Sequence, residues 1–128
     1  METNYFSDSL ITISSGPINL LLTCGYGQPV TTSVYLKRND GSNEKIGAFE
    51  GDVTNLFIGN SSDLKFSRIE IHSTIHDIRD IEPGQEVEDI KLFERISCNN
   101  EVSVQYEFVT KTIGSGKFIN CIYEITIL

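Results

Sequence analysis

Residues 64–78, with the sequence LKFSRIEIHSTIHDI, constrain the fold of this chain more than any other segment. Apolar and polar residues alternate through most of it, which is the pattern of a β-strand with one buried face. At about 3.3 Å per residue the segment would span on the order of 50 Å, longer than the roughly 36 Å breadth of such a domain. We therefore expect this strand to bend or bulge near Ser67 and again near His76.

Shorter segments with a period of two precede it and are separated by turn residues. Gly16-Pro17 and Asn39-Asp40-Gly41 are turn signals, because proline fixes φ while glycine, asparagine and aspartate tolerate positive φ. The strands predicted between such signals are residues 9–14, 18–24, 30–37, 44–49 and 53–58.

The C-terminal part of the chain ends in a predicted hairpin. Residues 102–108 and 119–127 alternate between apolar and polar, and Gly114-Ser115-Gly116 lies between them. Glycine-containing turns between two alternating segments are typical of β-hairpins. The last strand has no polar tail after it, so we expect it to be paired inside a sheet.

Residues 86–97 are ambiguous between strand and helix. Apolar residues recur there every three positions, as on a helix face, yet Ile90 and Leu92 also fit the alternation of a strand. We expect a strand or an irregular crossover, with a short helix as the alternative.

The pattern as a whole predicts an all-β chain, an antiparallel two-sheet β-sandwich of about eight strands with at most one short helix near 86–97. Strands that follow one another without intervening helices favour an immunoglobulin-like, C2-like or jelly-roll-like sandwich over parallel βαβ units. We expect residues 1–128 to form one domain, in which residues 1–8 could be an N-terminal arm. So many unrelated domains share this pattern that it indicates no function.

Composition excludes several classes of function. A net charge of −8 would repel a nucleic-acid backbone, and no apolar run reaches the roughly 20 residues that span a bilayer. The N-terminus lacks the basic and apolar segments of a signal peptide, which predicts a cytoplasmic protein or export without a cleaved signal.

Cys24, Cys98 and Cys121 have no CxxC spacing, so we expect neither a disulfide framework nor a zinc site.

His72 and His76 have the HxxxH spacing, which on a helix places two imidazoles near one metal ion. On a strand, positions four apart are separated by about 13 Å, too far for one zinc ion. We expect His72, Thr74 and His76 to share the solvent-facing side of the strand, opposite its isoleucines. A pH-sensitive contact surface for a partner is the functional alternative.

An acidic segment, residues 77–94, follows the histidines. Its carboxylates could form a solvated surface, a docking surface for a basic partner or, where they lie in loops, a calcium site. The weak calcium candidates are Asp77, Asp80, Glu82, Glu86, Glu88 and Asp89.

No nucleophile motif and no cofactor fingerprint is present, so we expect a protein that is not an enzyme and needs no cofactor. The leading hypothesis is a soluble β-sandwich that acts through protein contact, as an adaptor, assembly subunit or cargo module, by edge-strand association with a partner or with itself. The alternatives are a carbohydrate-binding, lectin-like module and a calcium-dependent C2-like module. The weak candidates for a partner or ligand surface are Tyr26, Tyr35, His72, Thr74 and His76.

Overall fold

The computed structural model of the protein describes residues 2–12, 15–24, 29–77, 89–111 and 117–128. These residues form nine strands and one short helix. In chain order they are β1 (Glu2–Ile11), β2 (Pro17–Cys24), β3 (Val30–Lys37), β4 (Asn43–Glu50), β5 (Val53–Asn60), α1 (Ser61–Leu64), β6 (Arg68–Asp77), β7 (Asp89–Cys98), β8 (Glu101–Lys111) and β9 (Lys117–Ile127).

The strands form two sheets, which confirms the predicted all-β, two-sheet sandwich. The five-stranded sheet has the order β1-β9-β6-β3-β4, and the four-stranded sheet has the order β5-β2-β7-β8. All pairs in the described part of the chain are antiparallel except β1 and β9, which run parallel. No helix in that part is long and apolar enough to cross a bilayer.

The core lies between the two inner faces and is dominated by branched aliphatic side chains. Ile69, Ile71 and Ile75 of β6 are fully buried, and so are Leu20 and Leu22 of β2. β-Branched side chains pack well on a pleated surface, and burying one such side chain contributes about 1.5–3 kcal/mol. The other fully buried aliphatic side chains among the described residues are those of Ile18, Val34, Leu36, Leu64, Ile90, Leu92, Ile96, Ile119, Ile125 and Ile127.

The alternating segment 64–78 is not one long strand. Its first residue ends helix α1, Phe66 adopts a positive φ of 64°, and β6 begins at Arg68. This break explains why the apolar positions change parity before Ile69. The expected bend near Ser67 is thus a complete interruption, since a residue in the left-handed region cannot continue a strand.

One expectation for the C-terminal half was confirmed and another was wrong. Residues 89–98 form strand β7, as expected, so the alternative of a short helix does not hold for that range, and the helix among the described residues is at Ser61–Leu64. Strands β8 and β9 do not form a hairpin, because β8 pairs with β7 and β9 pairs with β6 and β1. Alternation specifies which face of a strand is buried but not which strand lies beside it.

The predicted β3–β4 hairpin is confirmed. Asp40 accepts hydrogen bonds from the backbone N–H and the hydroxyl of Ser42, and Gly41 has a φ of 90°. The strand count is nine rather than about eight, because the ambiguous segment forms β7. The first strand begins at Glu2 and not near Ser9.

Replacement of a core isoleucine should be strongly destabilising. We expect Ile71→Ala to lower the free energy of unfolding by about 2–5 kcal/mol, because it removes buried methyl groups and leaves a cavity. Val109→Ala, at an exposed position of β8, should change it by less than about 0.5 kcal/mol. Equal losses for the two variants in urea unfolding would contradict the assignment of the core.

Candidate functional site

The outer face of the five-stranded sheet carries most of the described residues singled out from the sequence. His72 and Thr74 project from the central strand β6 beside Ser33 and Thr31 of β3, opposite the buried isoleucines as predicted. The ring of Tyr35 meets His72 edge-on, with centroids 5.1 Å apart. The structure therefore brings Tyr35, His72 and Thr74 together on one surface.

A charged cluster lies beside this group. The carboxylate of Glu70 accepts hydrogen bonds from Lys37 Nζ at 2.6 Å and from His72 Nε2 at 3.0 Å. Burial alone would raise the pKa of Glu70, but the hydrogen bonds from Lys37 and His72 outweigh it and hold the pKa below its ordinary value. These side chains satisfy one another, which is how a structural ion-pair network behaves.

The two histidines do not converge on a common site. His76 packs against Phe118 with ring centroids 4.0 Å apart, whereas His72 contacts Glu70 and Tyr35. Between them, Thr74 donates to Asn120, which donates to Asn4 of β1. These side-chain hydrogen bonds connect the neighbouring strands β6, β9 and β1 on the outer face.

The remaining candidates fall mostly outside the described residues. Tyr26 and the acidic residues Asp80, Glu82, Glu86 and Glu88 lie there, and of Asp77 only the backbone is described. Asp89 is the first residue of β7. The calcium site accordingly stays a prediction.

Strand β1 has a feature that the sequence analysis missed, namely apolar side chains that point away from the core. Its parallel register with β9 places Phe6 beside Ile122 and Leu10 beside Thr126 on the outer face. Phe6 is 62% exposed and Leu10 is 70% exposed. An alternating segment with apolar residues at positions 6 and 10 would normally be placed with that face inward.

The inner face of β1 contacts the rest of the sandwich through side-chain hydroxyl groups. Ser7 donates to the Tyr106 hydroxyl at 2.6 Å, and the hydroxyls of Ser9 and Tyr123 lie 2.7 Å apart. The Tyr5 ring packs on Phe108 with centroids 4.6 Å apart. Because Tyr106 belongs to β8 and Tyr123 to β9, the Ser7–Tyr106 and Ser9–Tyr123 contacts link β1 to both sheets at one side of the sandwich. We call these two hydroxyl pairs the polar seam.

The outer surface around Leu10 is acidic. A shallow depression of about 370 Å³ is lined by Asp8, Ser9, Leu10, Glu124 and Thr126. Glu124 is paired with Arg68 at 3.1 Å, whereas no described cation lies within ion-pair distance of Asp8. An apolar and acidic strip thus runs along an edge of the five-stranded sheet.

A second feature missed from the sequence is a carboxyl group in the core. Glu94 of β7 is only 2% exposed and has no hydrogen-bond partner among the described residues. Burial raises the pKa of Glu94 to about 8, so that its proton is largely retained at neutral pH. Burial, with the neighbouring Glu94 and Cys24, raises the pKa of Cys121 to about 12, so this thiol is not poised as a nucleophile.

Comparison of the chain with protein-family models, with curated proteins and with solved structures gives no match. The assignment of function therefore rests on the surfaces described above.

The buried Glu94 should make stability depend on pH. Its pKa is about 8 in the folded state against an ordinary value of 4.5, so its contribution to stability is present below about pH 4.5 and is lost as pH rises through 8. Between about pH 4.5 and 8, Glu94 lowers the free energy of unfolding by at most about 1.4 kcal/mol per pH unit. Glu94→Gln removes the titrating group, so its free energy of unfolding relative to the native protein should increase from pH 5 to pH 8.

Urea unfolding at pH 5, 6.5 and 8 measures this difference. Glu107→Gln, at an exposed position of β8, is the control that removes one carboxyl without burial. Parallel pH curves for the native protein and Glu94→Gln would show that Glu94 has an ordinary pKa in the folded state.

Proposed function

We propose that this protein is a non-enzymatic binding module that recruits an extended segment of another protein to strand β1. The observation that carries the proposal is the outward display of Phe6 and Leu10 from a strand at the edge of a sheet. Exposed apolar side chains next to an unpaired strand edge are typical of sites for strand addition.

The backbone of β1 supports this mode of binding. β1 pairs with β9 on one side over its full length, from Glu2 to Ile11, and no described strand lies on its other side. In a strand at an edge, every second residue directs its N–H and C=O groups away from the sheet, and an added strand can bond to them.

The other edges are less suited to accept a strand. The pairings of β4, β5 and β8 with their neighbours each contain a register shift, whereas the pairing of β1 with β9 has none. Register shifts distort a strand and increase its local twist, which discourages the addition of a further strand. β1 is therefore the most regular edge in the described part of the chain.

Charge indicates the chemistry of the partner. Asp8 lies between Phe6 and Leu10 on the outer face, and the whole chain has a net charge of −8. A strand with an apolar, a basic and an apolar residue at every second position, on the face it shares with Phe6, Asp8 and Leu10, would cover Phe6 and Leu10 and place a cation near Asp8. In contrast, antiparallel pairing of two copies with Phe6 opposite Leu10 would set the two Asp8 side chains against each other, which is unfavourable.

Selection of linear peptides on the intact protein tests the proposal. We expect the enriched peptides to carry an apolar, a basic and an apolar residue at every second position and to bind less tightly as salt is raised. Phe6→Ser and Leu10→Ser should each raise the Kd of such a peptide at least about tenfold, or about 1.4 kcal/mol. Phe57→Ser is the matched control, because Phe57 is 53% exposed on the edge strand β5 of the other sheet.

Three outcomes would contradict the proposal. The first is the absence of any enriched peptide, and the second is an equal loss of affinity in Phe57→Ser and Phe6→Ser. The third is a dimer in light scattering that Leu10→Ser dissociates, which would make a second copy of the chain the occupant of the edge.

A further inference from the structure

The outer face of the four-stranded sheet carries a groove that is distinct from the β1 edge. It has a volume of about 270 Å³, and its polar side chains come from three adjacent strands and one turn. They include Asn19 of β2, Asn55 of β5, Arg95 and Ser97 of β7, and Asn100 of the β7–β8 turn. Side chains from separate elements thus converge on one concave surface.

Irregularities of the backbone coincide with this groove. The β2–β5 pairing shifts register between Ile18 and Asn19 and again between Leu20 and Leu22, and the β7–β8 pairing shifts between Ile96 and Ser97. Such bulges bend a strand and redirect its side chains, and they are common beside binding sites. Asn100 reaches the rim because it adopts a positive φ of 64° in the tight turn after β7.

The electrostatics of the groove differ from those of the rest of the protein. Among the described residues that line it, Arg95 is the one charged side chain, although the whole chain has a net charge of −8. Arg95 makes no ion pair with any described residue, and its cross-strand neighbours are the uncharged Leu21 and Gln105. Its guanidinium lies 5.8 Å from the centre of the Phe93 ring and forms no hydrogen bond with a described side chain, so its N–H donors are available to an anion.

The other polar groups suit hydroxyl ligands. An asparagine amide both donates and accepts, as does a serine hydroxyl, and a sugar hydroxyl requires both functions. The side chains of Asn19, Asn55 and Asn100 form no hydrogen bond with described residues. Leu21 and Val102 add an apolar surface, and the volume is close to the lower end of small-molecule sites.

We infer that this groove binds an acidic sugar, with the ligand carboxylate on Arg95 and the ligand hydroxyls on the asparagine amides. A guanidinium binds a carboxylate through two parallel hydrogen bonds, which gives both orientation and affinity. A neutral sugar would lack that contact, and an inorganic anion would lack the hydroxyl contacts.

Titration of the intact protein with glucuronate, galacturonate and mannuronate, followed by amide chemical shifts, tests the inference. We expect saturable shifts at Asn19, Asn55 and Arg95 with at least one of these hexuronates. Arg95→Gln should weaken that binding at least about tenfold, the size expected for a charge-assisted hydrogen bond. Lys91→Gln is the matched control, because it removes one positive charge from the same face of β7, four residues away, and should leave the affinity unchanged.

Glucose, acetate and inorganic phosphate separate the alternatives. We expect each to bind at least about tenfold more weakly than the hexuronate. Phosphate or acetate that binds as tightly through Arg95 would show a simple anion site and overturn the inference. So would glucose of equal affinity, the absence of saturable binding by all three hexuronates, or an equal effect of Arg95→Gln and Lys91→Gln.

Discussion

Strand β9, which lies between β6 and β1, determines how the five-stranded sheet is assembled. Its inner face supplies Ile119, Ile125 and Ile127 to the core, and its register with β6 places Ile119 opposite Ile75 and Ile125 opposite Ile69. The parallel pairing of β9 with β1 joins the first and last strands of the chain. Because a slip of one residue would reverse every side chain of β1, this register decides that Phe6 and Leu10 point outward.

The polar seam explains why that register is stable although it exposes apolar groups. The hydroxyls of Tyr106 and Tyr123 would otherwise lie at the border of the core without partners, and Ser7 and Ser9 bind them. A buried polar group without a partner costs about 1–3 kcal/mol, which is comparable to the gain from burying one aliphatic side chain. The opposite register would bury Phe6 and Leu10 but would remove the serines from the tyrosines.

The two outer faces of the sandwich have different physical characters, which is the basis for assigning them different ligands. On the five-stranded sheet, Glu70 and Glu124 are each neutralised by a neighbouring cation, so that the exposed edge at β1 is left with Asp8 and two apolar side chains. On the four-stranded sheet, Arg95, which has no ion-pair partner among the described residues, lies among amide groups. The first surface suits an extended basic chain, and the second suits a small anion with hydroxyl groups.

The sequence was sufficient to predict the two-sheet sandwich, the β3–β4 hairpin and the exposed face shared by His72 and Thr74. Each of these follows from local alternation or from turn chemistry such as Asn39-Asp40-Gly41. It was not sufficient to predict the separation of β8 from β9, because strand partners are chosen by contacts distant in sequence. The outward face of β1, the core position of Glu94 and the groove around Arg95 also depend on the packing of strands distant in sequence.

Strand β1 pairs with β9 on one side, and we infer that its other side accepts an added strand. Amide hydrogen exchange of the intact protein, resolved by residue, tests it most directly. We predict that in the unliganded protein every second amide from Tyr5 to Leu10 is protected while the intervening amides exchange rapidly, and that a bound peptide protects the intervening set. Equal protection of both sets without a ligand would show that β1 is not an open edge, and rapid exchange of both would show that β1 is not stably paired with β9.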